Sequence, residues 1–350
     1  MLKRIEWIDI AKGLGIIFVI FAHIQSISQV FLNYIYSFHM PLFFFLSGYL
    51  FSDSKYKTLM EFIKKKAQSL LIPYFVFSII SYIYWALVQI RMGDDIKHPD
   101  LFRAFIGIFY SDPNHHFMSY NVALWFLTCL FSTEILFYIL RKKIKIEYYI
   151  PIVLIALSIT GYLFSLYLPF RLPWGIDVAC SAVVFYGVGY IFKTININDE
   201  VMERLPKMSA ILLLMPIGYI LSQFNREIDM ASNYLSNYFL FYAGAFAGIF
   251  CWIFIAYLIK ESTILSFFGK NSLIIFGLHL KTPVDFFMHK VLRTSAETIN
   301  GNLYGVIDTI ITLAFLVPVI FIINKFFPFL IGKGRQISTE IVAKEELPAE

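Results

Sequence analysis

Charge is scarce in this chain: Asp, Glu, Lys and Arg make up 15% of its 350 residues, against about a quarter in soluble domains. That deficit excludes an ordinary water-soluble enzyme. Cysteine is nearly absent too. Cys129, Cys180 and Cys251 stand far apart and form no CxxC pair, which excludes a disulfide framework and a cysteine-based zinc site. The adjacent His115 and His116 fall in a loop, where histidines rarely hold a metal, and no metal centre is expected. There is no inverted internal repeat of the kind that builds many transporters. The net charge of +5 comes from asymmetric loops, so no nucleic-acid partner is expected.

What fills the chain is apolar: 59% of residues are hydrophobic. Crossing about 30 Å of hydrocarbon takes roughly 20 such residues. Ten stretches qualify, near 8–28, 31–51, 69–90, 121–140, 148–168, 175–192, 208–223, 238–259, 264–285 and 303–324. They are apolar all round rather than on one face, as buried or lipid-facing helices are. The expectation is an all-α polytopic membrane protein in contact with membrane lipid. Asp9 and Lys12 interrupt the place where a signal peptide would need its apolar region, so the first span is read as retained. Nineteen Lys and Arg fall in alternate loops on one side and eight on the other. The positive-inside rule then sets both termini in the cytoplasm. The expected location is the cell membrane, as a multi-pass protein of the bacterial cytoplasmic membrane. The stretch LFRAFIGIFY is expected along the membrane surface, GAFAG (Gly244–Gly248) at a helix contact, and residues 331–350 as a polar, disordered tail.

Ionisable residues inside a span are costly and become functional candidates. Residues 12–23, KGLGIIFVIFAH, set Lys12 and His23 at the two ends of an apolar run. Eleven residues make three helical turns and about 20°, so both side chains share a face, about 16 Å apart along the axis. Asp9 lies a turn below Lys12, too far from His23 to orient it. Gly13 and Gly15 thin the helix there for a ligand or a neighbouring helix. Depth along the spans groups Lys12, Lys270, Glu134 and the cluster Lys64, Lys65, Lys66 toward the inner side. His23, His39, His279 and Asp177 collect toward the outer side. A cation, a slim path and a proton acceptor suit an acyl-coenzyme A with its phosphates at Lys12 and its thioester at His23. Blander roles compete: Lys12 can snorkel to headgroups, His23 can bond a neighbouring helix, and Glu134 can neutralise Lys12 or Lys270. Pro41 should kink the second span, with His39 and Ser47 lining the cavity this opens.

Several blocks together resemble the acyltransferase type 3 family of integral membrane enzymes, in the branch akin to fucose 4-O-acetylases. They are WIDIAKGLGIIFVIFAH, FHMPLFFFLSGYLF, KKKAQSLLIPYF, ALWFLTCLF (which contains Trp125) and FGKNSLIIFGLH. The second is the most specific. The resemblance implies transfer of an acetyl or other acyl group from cytoplasmic acyl-coenzyme A to a hydroxyl. The acceptor would be a cell-surface carbohydrate or a lipid-linked saccharide precursor. Residues 1–330 would form the transmembrane domain. The family's histidine falls on His23 and its basic partner on Lys12. Many members carry arginine where this chain has Lys12 and Lys66, and Ser69 replaces a further arginine. Lysine offers a point charge instead of a bidentate fork.

The expected assignment follows from both readings. His23 is the base, or alternatively a nucleophile passing through an acyl-histidine, with His39 beside it. Lys12, Lys66 and Lys270 hold the coenzyme A phosphates. Asp9, Ser47, Trp125, Asp177, Asn271, Ser272 and His279 are candidates to orient groups or to stabilise an oxyanion. A multi-span carrier that uses the Lys and His layers as a proton path is the rival reading.

Overall fold

The computed structural model describes residues 5–24, 27–92, 99–144, 146–195, 205–280 and 300–333. The chain is all helix and turn among these residues, apart from one isolated bridge between Asp229 and Tyr234. Eight helices are long and apolar enough to cross a membrane. They are α2 (Gln29–Tyr49), α3 (Leu59–Gln89), α5 (Val122–Lys143), α6 (Tyr149–Tyr167), α7 (Pro173–Thr194), α8 (Lys207–Phe224), α9 (Tyr238–Ile259) and α12 (Gly301–Phe326). The other two expected spans are modified. The first is α1 (Glu6–Ala22), whose 17 residues sit at the short end of the spanning range of about 17–25. The ninth, expected as one helix over 264–285, breaks instead into α10 (Thr263–Lys270) and α11 (Ser272–Leu278). Asn271 sits at the break, where its amide side chain bonds the carbonyl of Phe267 and competes with helix continuation. Residues 281–285 of that span, and residues 334–350 of the expected tail, lie outside the described set.

The short amphipathic helix α4 (Leu101–Tyr110) buries Ala104, Gly107 and Ile108 and leaves Phe102, Phe105 and Phe109 exposed, as a helix lying in a membrane interface would. Exposed Leu212, Phe224, Phe239 and Phe321 give the long helices an apolar exterior of the same kind. The basic residues Lys64, Lys65, Arg141, Lys142 and Lys143 gather at one end of the bundle, called the basic end below.

Glycines allow two close helix crossings. A β-carbon on Gly13 would overlap the Leu265 carbonyl, and one on Gly269 would overlap that of Asp9, so α1 and α10 touch backbone to backbone. Gly48 and Gly189 do the same for α2 and α7, against Tyr186 and Phe45. Gly13 therefore admits a neighbouring helix, and Gly15 rests on the Phe43 ring. Neither makes room for a ligand. Gly248 abuts Phe38, in keeping with the expected helix contact. These contacts tie α1 to α10 and α2, and α2 to α7 and α9, beside the interior that holds the site.

Candidate functional site

Toward the basic end, α1, α2, α3, α5 and α11 enclose a cavity of about 250 Å³. Lys12, Lys66, Glu134, Ser47, Ser69 and Ser272 supply its polar lining, and Phe43, Phe126 and Phe276 close it toward the middle of the bundle. Lys66 reaches this cavity because α3 passes there through a wide π turn, Ala67–Leu71, directly after it. Its Nζ donates to Glu134 Oε1 at 2.8 Å and stands 5.6 Å from the Phe62 ring centroid. Glu134 is 4% exposed, and its second oxygen accepts no hydrogen bond within 3.5 Å among the described residues. The expectation is that Glu134 neutralises Lys12 or Lys270; the ion pair it forms is with Lys66 instead, which α3 brings into the same cavity. Two lysines against one carboxylate leave this partly apolar cavity with a net positive charge, which suits a phosphorylated ligand.

A second cavity, of about 170 Å³, opens at the other end of α1. His23, His39, Tyr36, Met40, Trp125 and Phe276 line it, with Asp229 and Ala231 from the loop before α9. His23 caps α1, and its Nδ1 lies 2.7 Å from the Val19 carbonyl. His39 Nδ1 lies 2.8 Å from the Ile35 carbonyl, and His279 Nδ1 lies 2.9 Å from that of Phe276. A carbonyl oxygen only accepts, so in each neutral ring Nδ1 carries the hydrogen and Nε2 the lone pair. His279 Nε2 stands 3.3 Å from His23 Nδ1 and shares that hydrogen with Val19. The pair leaves His23 with a fixed orientation and a basic Nε2.

The fold also fixes His279. Asn121, fully buried, donates to the carbonyl oxygens of Gly277 at 3.1 Å and Leu280 at 3.4 Å. The Gly277 carbonyl is one freed by the end of the short helix, and Leu280 lies just beyond it. The loop carrying Asp229 is tied down as well. Arg171 Nε donates to Asp177 Oδ2 at 2.5 Å, while its guanidinium also bonds the Ala231 carbonyl. Asp229 in turn accepts from Ala231 N at 2.9 Å and Ser232 Oγ at 2.5 Å.

Some expected placements fail. Asp177 is the partner of Arg171 and not of His23. Trp174 and Gly175, both at positive φ, turn the chain so that Arg171 meets it. Lys270 is exposed and absent from either cavity's lining, because the helix break at Asn271 turns it outward. Asn271 accepts from Asn324 of α12 at 2.8 Å and is likewise outside both. Ser272 faces the basic cavity, not His23, so it cannot serve an oxyanion at the imidazole. Asp9 is buried against α10 and lines neither cavity. His39 and Ser47 line different cavities, one on each side of Pro41, through which α2 runs unbroken. Trp125 and His279 do join His23, while Lys12 and Lys66 come together as expected.

Residues not singled out from sequence include Tyr36, Asp229, Arg171, Asn121 and Phe276. Asp229 had one usable signal, an acidic residue in a polar loop on the histidine side. Phe276 had none.

One comparison bears on this geometry. The family model described as an acyltransferase domain matches residues 5–325, which covers both cavities and every helix that lines them. Neither a curated protein nor a solved structure matches the chain.

Proposed function

The chain belongs to the acyltransferase type 3 family and is a membrane acyltransferase, and from that premise we propose that it moves an acetyl group from coenzyme A to a saccharide hydroxyl. Both termini and the basic end would face the cytoplasm, and the acceptor would be a cell-surface carbohydrate or its lipid-linked precursor. The observation that carries this reading is the pair of cavities along α1, cationic at Lys12 and Lys66 and basic at His23. A phosphorylated carrier needs the first, and a hydroxyl acceptor needs the second.

The donor's phosphates lie against Lys12 and Lys66, and its pantetheine arm follows α1 for about 16 Å to the thioester. There the acceptor hydroxyl attacks the thioester carbonyl carbon while His23 Nε2 takes its proton. The tetrahedral intermediate collapses, the carbon–sulfur bond breaks, and the imidazolium returns the proton to the departing thiolate. Ester and free thiol result. Trp125, whose indole nitrogen only donates, faces this cavity and serves the developing oxyanion, with His39 alongside. His279 holds the imidazole in place. An outer cavity of 170 Å³ favours acetyl over long acyl chains, since about 150 Å³ already takes a benzene. Family membership disfavours the carrier alternative.

The test is acetyl-coenzyme A turnover by the purified protein in proteoliposomes with saccharide acceptors, read as released thiol and as an acceptor mass gain. His23→Ala should abolish transfer with coenzyme A binding retained. Lys12→Ala should weaken that binding, and Lys12→Arg should keep most of it. Full turnover in His23→Ala, or unaltered binding in Lys12→Ala, would overturn the assignment.

A further inference from the structure

The two cavities are distinct and meet at one side chain. Among the described residues, Phe276 is the only side chain that lines both. Its ring packs edge-on against Phe126 with centroids 5.5 Å apart, and Phe126 in turn meets Phe43 at 5.9 Å on the basic side. Phe276 is 5% exposed. The direct route for an arm that starts at Lys12 and ends at His23 runs past this ring. The coupling runs further, because Phe276 and His279 are three residues apart on α11, one turn of helix, and their rings lie 6.0 Å apart. Displacing Phe276 therefore also bears on the imidazole that contacts His23.

We infer that Phe276 is a gate between a donor chamber and a transfer chamber, opened by the donor's arm and otherwise keeping water and solutes of the basic end from His23. Helix α11 suits the part: it is seven residues long and starts at the Asn271 break, so it can adjust without moving a whole span. The consequence for chemistry is specific. With the gate shut, water from the basic end does not reach His23. With it open and no acceptor present, water could take the acceptor's place, add to the thioester carbonyl, expel the thiol and leave free acid.

The gate rests on the proposed acyl transfer for its purpose but not for its detection. A Met40→Cys reporter places a thiol in the transfer chamber, and the native Cys129, Cys180 and Cys251 are buried. In proteoliposomes oriented so that Arg141–Lys143 face the bath, a charged, membrane-impermeant methanethiosulfonate is added from that side. Labelling of the introduced thiol should be slow with Phe276 present, several-fold faster with Phe276→Ala, and intermediate with Phe276→Leu, which keeps apolar bulk should the alanine variant fold poorly. Equal rates in all three proteins, fast or slow, overturn the gate. Separately, acetyl-coenzyme A hydrolysis without acceptor should rise in Phe276→Ala, and Phe276→Trp should slow transfer. Faster labelling with no thioester turnover in any variant would keep the gate and refute the acyltransfer reading. Transfer by the native chain, with labelling and hydrolysis indifferent to Phe276, would do the reverse.

Discussion

The His23–His279 pair lets a base be told from its positioner by magnitude alone. His279 contributes one contact to His23, at 3.3 Å, and Val19 O at 2.7 Å already fixes the same hydrogen. Replacing His279 by Leu therefore removes one shared hydrogen bond, worth about 0.5–1.5 kcal/mol net. At about 1.36 kcal/mol per tenfold, that is a loss of about two- to thirteen-fold in kcat. His279→Gln, whose side-chain oxygen can still accept from His23 Nδ1, should lose less than the leucine variant. Removal of the general base itself costs about 10²–10⁴. His23→Ala should therefore fall at least about ten times further than His279→Leu. The assay is thiol release at saturating acetyl-coenzyme A with saccharide acceptor in excess, on proteins shown to elute as folded in detergent. Equal losses in the two variants would mean that His279 is itself the proton acceptor, and the assignment would be wrong. A Gln variant as impaired as Leu would remove the hydrogen bond from the explanation and leave packing.

Three further outcomes are expected. Lys66→Met strands the Glu134 carboxylate, which is 4% exposed, whereas Glu134→Leu strands an ammonium that is 21% exposed and can turn to water. Breaking a fully buried pair costs about 3–5 kcal/mol, so Lys66→Met should lower the melting temperature more than Glu134→Leu, and the double variant should recover most of the loss. The reverse order would show that the pair is not buried in the membrane-embedded protein. Gly269→Ala should prevent accumulation of folded protein, since its β-carbon meets the Asp9 carbonyl, while Gly244→Ala has 3.7 Å to Leu221 Cβ and should be tolerated. Expression with thermal melting decides, and matched losses would refute the backbone contact between α1 and α10. Finally, acetyl-coenzyme A should support transfer only from the face that carries Arg141–Lys143. Equal use from both faces of oriented proteoliposomes would contradict the cytoplasmic placement of the basic end.

Much of the site was legible because a helix converts sequence spacing into geometry. Lys12 and His23 each face one cavity of the same pair, as three turns on one face require. Ten apolar stretches became eight long helices, one short helix and one broken pair, and the break has a visible origin in the polar run Lys270–Asn271–Ser272. Such a run inside an apolar span could have been read as a helix terminus, because a side chain such as Asn bonds nearby carbonyls and competes with continuation.

What sequence does not carry is azimuth across separate helices. Depth placed Lys270 level with Lys12, yet Lys270 is exposed while Ser272, two residues on, enters the cavity. Neighbouring residues on a helix point about 100° apart, so a depth shared within about 2 Å says nothing of which one faces inward. Asp177 shows the same limit for loops. Its depth matched His23, but two left-handed residues at Trp174 and Gly175 turn the chain back on itself and present Arg171 first. Phe276 is the extreme case. One phenylalanine among 38 has no compositional mark, and its importance comes only from standing where two cavities end. Polar residues in a membrane announce themselves by their cost. An apolar residue that divides two polar chambers costs nothing in either place, so only the assembled bundle reveals it.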